Sequence, residues 1–212
     1  MTDIPQEVLD FCTEYGLTVN QFYGREVYPG SLHLNFTTTL IPWFNPKVGG
    51  GLHLDSVTAL IPGFNPKVVG NLFLNSVTTL IPGFNPQVGR DLVLRSPQLL
   101  SLGDISTVGD TLSLVGCTSL RSLGTNLKSV EYLDLEGTPI YGIPEDLVVK
   151  ERVYLDGPDK YIPVAEARRI LKDFKDSIKS ANDAGEILLD RLNRPLWQVQ
   201  YASDFLNGDI RA

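Results

Sequence analysis

Two cysteines, two histidines and one methionine in 212 residues leave little material for thiol, redox or metal chemistry. Cys12 and Cys117 fall in different elements among apolar neighbours, so they read as buried small hydrophobes, not as a disulfide or a metal pair. No apolar run is long enough for a membrane span. Basic charge is short as well: 18 Lys and Arg face 25 Asp and Glu, a net charge of −7. Without a basic stripe, DNA or RNA binding is disfavoured, because phosphate neutralisation supplies most non-specific affinity. The sequence also lacks His-Glu-x-x-His, a glycine-rich phosphate loop with Lys, and Cys-x-x-Cys, so no enzyme, metal or cofactor is expected. The start, MTDIPQEVLDF, has neither a basic opening nor an apolar stretch, which argues for the cytoplasm and leaves export without a signal open.

What is present is a sentence written three times: SLHLNFTTTLIPWFNPKVGG, GLHLDSVTALIPGFNPKVVG and NLFLNSVTTLIPGFNPQVGR, over residues 31–90. A fixed period of 20 residues means stacked units whose apolar faces only their neighbours can cover. The phase continues through Leu92, Leu112, Leu133 and Val153, which gives about seven turns. In each turn an apolar-x-apolar pair, from Leu32/Leu34 to Val153/Leu155, alternates as a half-buried strand should. Leu40, Leu60, Leu80, Leu100 and Leu120, eight residues further on, are expected in the core, and Phe44, Phe64 and Phe84 should stack as an aromatic spine before an Asn-Pro return bend. Ordering 20 residues costs about 30 kcal/mol at roughly 1.5 per residue, whereas burying six side chains returns only about 9–18. An isolated turn should therefore not fold.

The wording LVGCTSL and YLDLEGTPIYGIPEDL resembles leucine-rich repeats, with Cys117 and Thr138 in the Asn/Cys place. The short, Pro-containing turns are similar to the compact repeats of bacterial and phage-type members, including secreted effectors. The resemblance spans 31–157 and implies an α/β solenoid, a right-handed horseshoe with a parallel sheet on its concave side, which binds a partner. Turns one to four depart from it, carrying Thr37, Val57, Val77 and Pro97 where the family places its ladder Asn. Some bacterial effectors of this kind carry a ubiquitin-ligase Cys-x-Asp; no Cys follows Cys117 here.

Helical caps are expected at both ends, over 1–30 and 158–212, around the solenoid of 31–157. In the first, Val8, Leu9, Cys12 and Tyr15 recur at helical spacing and Gly16 can close the helix. Trp43, standing where the sister turns have Gly63 and Gly83, either packs under this cap or protrudes as an anchor. In the second, Arg168, Lys172, Lys175 and Lys179 form a ridge, read as a solvated face or as a grip for an acidic partner. Ile187, Leu188, Leu192, Leu196 and Trp197 should cover the last turn or a second copy of the chain, so a homo-oligomer through the C-terminal helices is conceivable.

Residues alternating with the Leu pairs point outward in columns: His33, His53, Phe73, Val93, Ser113, Asp134, Tyr154, and beside them Asn35, Asp55, Asn75, Arg95, Val115, Glu136, Asp156. They vary on a scaffold that hardly changes, as a recognition surface would. The expected partner-binding set is His33, Asn35, His53, Asp55, Phe73, Asn75, Val93, Arg95, Asp134, Glu136 and Tyr154. The expectation is a non-enzymatic protein-binding module, one concrete form being an inhibitor or effector acting on a host or immune protein. Two rivals remain: a self-assembling structural subunit, and an enzyme built on His53, Asp134 and Glu136. His33 and His53 with Asp55 could also form a metal or pH-sensitive patch, against a plain contact surface.

Overall fold

The structure is a computed structural model that describes residues 4–155 and 161–183. It is a solenoid of parallel strands built from the repeat. Each early turn contributes two short strands. One set is β2 (Leu32–His33), β4 (Leu52–His53), β6 (Leu72–Phe73) and β8 (Leu92–Val93); it continues into β9 (Thr111–Ser113), β10 (Ser129–Asp134) and β11 (Val148–Tyr154). Together with β12 (Tyr161–Ile162) these form an eight-stranded sheet. The other set, β1 (Val27–Tyr28), β3 (Lys47–Val48), β5 (Lys67–Val68) and β7 (Gln87–Val88), forms a four-stranded parallel sheet on another side of the coil. The pairing is in register by the repeat itself, Leu32 with Leu52, Leu52 with Leu72, Leu72 with Leu92. Among the described residues, the long sheet thus has seven parallel rungs bounding six complete turns, against the about seven expected.

The second sheet is a feature the repeat wording hides. Its signal is Lys-Val, Lys-Val, Gln-Val after each Asn-Pro, with Val48, Val68 and Val88 turned inward and buried. A tight glycine corner separates it from the long sheet: a Cβ on Gly89 or Gly109 would run into the carbonyl oxygen of the preceding rung, at Val69 and Gly89. From rung six no glycine stands at the corner. There β10 and β11 run through both sides as single strands, with an irregularity between Val130 and Tyr132.

Inside, Leu32, Leu34, Leu40, Phe44 and Val48 and their counterparts fill the coil. Phe44, Phe64 and Phe84 are 0% exposed and stack at 6.2 Å per step, tilted by 16° and 9°. In turn four the register slips. Leu99 is 0% exposed and Leu100 is 64% exposed, so Leu100 is not core as expected. Pro97 has no amide hydrogen for the ladder and the chain turns there, which moves the inward position back by one residue.

At the bend after Ile41, Ile61 and Ile81 a side-chain ladder runs from turn to turn. The ladder asparagines of the early turns are Asn45, Asn65 and Asn85: Asn65 N–H donates to Asn45 Oδ1 at 2.9 Å, Asn85 N–H to Asn65 Oδ1 at 2.6 Å, and Ser106 N–H to Asn85 Oδ1 at 3.0 Å. At the same bend the amides of Phe44, Phe64 and Phe84 close turns onto Ile41, Ile61 and Ile81. The third residue of each turn has positive φ: 79° at Gly63, 77° at Gly83 and 66° at Trp43. Glycine adopts this freely, whereas for a residue with a Cβ it costs about 1–2 kcal/mol. Trp43 is 56% exposed, so it protrudes.

At the N-terminal end, α1 (Gln6–Tyr15) closes on Gly16 at φ 65° and buries Val8, Phe11 and Cys12; Leu9, expected inside, is 38% exposed. Phe11 packs on Phe44 at 5.2 Å, and the Tyr15 hydroxyl bonds Thr37 Oγ1 at 2.7 Å. The four-residue α2 (Val19–Phe22), held by a Thr18/Gln21 capping box, then leads into β1. At the other end the strands do not stop near 156. After the undescribed 156–160, β12 pairs antiparallel with β11, Val153 with Ile162. It then leads into α3 (Val164–Asp183), whose Ala167 and Leu171 are fully buried. The expected tail of 184–212 lies outside the described residues, with Ile187, Leu188, Leu192, Leu196 and Trp197, as do the side chains of Lys175 and Lys179.

Candidate functional site

The outward columns of the long sheet follow directly from strand alternation, and the structure brings their N-terminal members into ring contact. His33 and His53 stack with centroids 4.2 Å apart and 21° between planes; His53 and Phe73 follow at 4.5 Å and 18°. Parallel in-register pairing of His33 with His53 and of His53 with Phe73 forces this, since identical positions lie one rung apart. Asp55 stands beside the stack, its Oδ2 3.9 Å from His53 Nδ1, and Asn75 Nδ2 donates to Asp55 Oδ1. Asn75 Oδ1 is buried without a hydrogen-bond partner among the described residues.

Electrostatically the stack favours a neutral His53. Partial burial and then the neighbouring His33 charge lower its pKa below the ordinary 6.5, and Asp55 only partly opposes them. A groove of about 470 Å³ runs along the stack, floored by Gly50, Gly51 and Gly70 and bordered by Asn71 and Arg90.

Sequence reasoning missed a third outward column, one residue before each first Leu: Ser31, Gly51, Asn71, Asp91, Thr111, Tyr132 and Arg152. Counting the alternation backward by one step finds it. Its side chains tie rungs together: Ser31 Oγ accepts from Gly51 N–H at 3.0 Å, Asn71 Oδ1 from Asp91 N–H at 3.2 Å, and Asp91 Oδ1 from Thr111 N–H at 3.3 Å. Tyr132 meets Tyr154 edge to face at 6.3 Å.

The expected set is not one uniform surface. His33, Asn35 and Arg95 are exposed; His53, Asp55, Phe73, Asn75, Asp134, Glu136 and Tyr154 are half-buried. Val93 is buried, and so is Ser113, whose Oγ has no hydrogen-bond partner among the described residues. Val93 is therefore a correction to the contact set: crowding at mid-sheet leaves it little surface to offer. His53 lies on rung two and Asp134 and Glu136 on rung six, a separation of about 19 Å at roughly 4.8 Å per rung. The three do not gather into one catalytic group. Among the described residues no cluster of three or more His, Cys, Asp or Glu is placed to hold a metal ion, and no helix is long and apolar enough to cross a membrane.

Two other expected features take structural roles. Arg168 donates to the carbonyls of Pro144 at 2.6 Å, Leu147 at 3.0 Å and Ile143 at 3.3 Å, fastening α3 to the loop before β11. Cys117 donates its thiol to Leu94 O at 3.0 Å, and burial pushes its pKa up to about 11. In comparison with known proteins, no family model, no curated protein and no solved structure matches this chain.

Proposed function

We propose that this chain is a non-enzymatic, leucine-rich-repeat-type protein-binding module, working in the cytoplasm, that engages a protein partner on the outer, concave face of its long sheet. In the fuller form of this reading the solenoid is right-handed and closed by helical caps at both ends. The observation that carries the reading is the contrast between scaffold and surface. The inward and bend positions repeat almost unchanged through 31–90, while the outward columns mix residue types (His33, His53, Phe73; Asn35, Asp55, Asn75; Ser31, Gly51, Asn71) and concentrate aromatic and polar groups at His33, His53, Asp55 and Phe73. Aromatic anchors with polar neighbours dominate most protein interfaces. An inhibitor or effector directed at a host or immune protein is one form of this function.

The test uses the whole chain as bait in native cytosol and compares it with the His53→Ala/Phe73→Ala double variant. Those side chains point away from the Leu core, so loss of the stack should cost only about 1 kcal/mol or less, while capture of a stoichiometric partner should be lost. A double variant that melts normally and still captures the partner at full strength would place binding elsewhere. Recovery of the chain's own copies alone would favour a self-assembling subunit.

A further inference from the structure

Turn one differs from turn two at seven of 20 positions, and two of those differences put large rings where the sister turns have small residues. Phe36 replaces the serine of later turns and is 96% exposed. Ser56 and Ser76 use that place to donate to the Asn35 and Asp55 carbonyls, while the Phe36 ring is left to solvent. Trp43 replaces Gly63 and Gly83 and is the one non-glycine residue at positive φ among the described residues. Glycine would serve the bend better because its backbone takes this conformation freely; a Cβ at Gly63 or Gly83 would meet open space, so the cost at Trp43 is one of backbone conformation and not of crowding. Strain kept by a half-exposed tryptophan points outside the chain for its use.

The setting of these rings indicates what they meet. The neighbour of Trp43, Phe44, packs on Phe11, and the neighbour of Phe36, Thr37, is bonded by Tyr15. Both exposed rings are thus carried by rung one, each on a residue next in sequence to one that α1 holds. The outward side of α1 carries Glu7, Asp10 and Glu14, all exposed, with Leu9 at 38% exposure and Ile4, just before the helix, at 43%; α1 has no Lys or Arg. A second copy meeting the same end would oppose carboxylate to carboxylate, and an anionic bilayer would be repelled. An arginine-bearing protein segment satisfies both halves of the surface, with guanidinium over the indole and paired with the carboxylates.

We propose that the N-terminal end of the solenoid is a docking site for a basic, Arg-rich protein segment, anchored on Trp43 and Phe36 and steered by Glu7, Asp10 and Glu14. This surface is separate from the outer face of the long sheet and stands whether or not that face binds. In a Trp197→Phe background Trp43 is the sole tryptophan, so its fluorescence reads the site. A synthetic amphipathic Leu/Arg peptide should give a saturable change, weakened about tenfold or more by Glu7→Lys/Asp10→Lys/Glu14→Lys and by raised salt. By calorimetry, Trp43→Gly and Phe36→Ser, which restore the sister wording, should each weaken the same peptide by about tenfold or more, with the melting temperature of Trp43→Gly unchanged or raised. Equal binding of a Leu/Glu peptide, a response to phosphatidylcholine vesicles in place of the peptide, self-association abolished by Trp43→Gly, or undiminished affinity in both restoring variants would each overturn the proposal.

Discussion

Turns one to three and turns four to six solve the same stacking problem with different parts. In the first region the plug of the bend is phenylalanine, the bend is Ile-Pro-x-Phe with positive φ in third place, and Asn45, Asn65 and Asn85 carry the side-chain ladder. In the second, Ile105 closes its turn onto Leu102 with positive φ in second place at Gly103. Ser106 N–H donates the last ladder bond to Asn85 Oδ1, and Asp104 Oδ2 accepts from Gly83 N–H at 2.7 Å. Leu127 and Leu147 take over as buried plugs. Each turn thus needs one apolar plug and a polar side chain that ties it to the next rung, and neither has to be a particular residue. The regular half achieves this with one part repeated, the irregular half with several of equal burial.

The sharpest way to break this comparison is at the plug. Phe64 lies between two rings 6.2 Å away on each side that cannot both collapse onto a cavity, so Phe64→Ala should cost about 3–5 kcal/mol in a denaturant melt, against about 0.5–1.5 for Ile105→Val. A Phe64→Ala cost no larger than that of Ile105→Val would mean the aromatic spine is not what orders the regular half. The ladder comes next. Asn65 accepts from Asn85 N–H and donates to Gly83 O at 2.8 Å, and its loss strands both partners; Asn65→Ala should cost about 1–3 kcal/mol. Asn126, exposed at its bend, donates from one amide nitrogen to Gly103 O and Asp104 Oδ1, both at 3.1 Å; both acceptors are left to water when it is removed, so the same change should cost only about 0.5–1.5 kcal/mol. Equal losses would show that solvent replaces both ladders equally well.

The smallest effect is one of pH, confined to the regular half because both histidines lie there. The folded pKa of His53 is lowered, so just below 6.5 the unfolded chain binds more protons than the folded one. Its contribution to stability is complete above that pH and is lost as pH falls through the window. Melting curves should show a small decline over that range, absent in His53→Gln; a rise on acidification would instead give Asp55 the controlling influence.

Much of this was legible from the repeat alone. The rungs, the Phe spine and the outward His column follow from period 20 and alternation by two, because identical residues in parallel register must stack. Three things were not. Leu100 and Leu99 are adjacent and equally apolar, and only the turn at Pro97 decides which faces inward. The strands at Lys47, Lys67 and Gln87 each carry a single inward valine, with no apolar-x-apolar pair like Leu32/Leu34 to mark them. The ladder role of Asn45, Asn65 and Asn85 was masked by their proline neighbours, which made them read as a return bend only. At the candidate surface, alternation gave the direction of Val93 and Ser113 but not their crowding, which depends on the larger side chains of neighbouring rungs.

The glycine corner and the in-register bend together make length an adjustable property of this molecule. Removing residues 51–70 would join Gly50 to Asn71, leaving Leu32 to pair with Leu72, Phe44 with Phe84 and Asn45 with Asn85, each junction a near-copy of one already present. The reach of the solenoid, and the number of outward positions it displays, can therefore be shortened or extended in whole periods by exchange between like segments of its own coding sequence. A change of 19 or 21 residues inside 31–90 would have to be absorbed within one bend, as the 21-residue step from Leu112 to Leu133 is, or it would put that strand's side chains on the wrong face. Heritable variation in such a chain should come in steps of one rung.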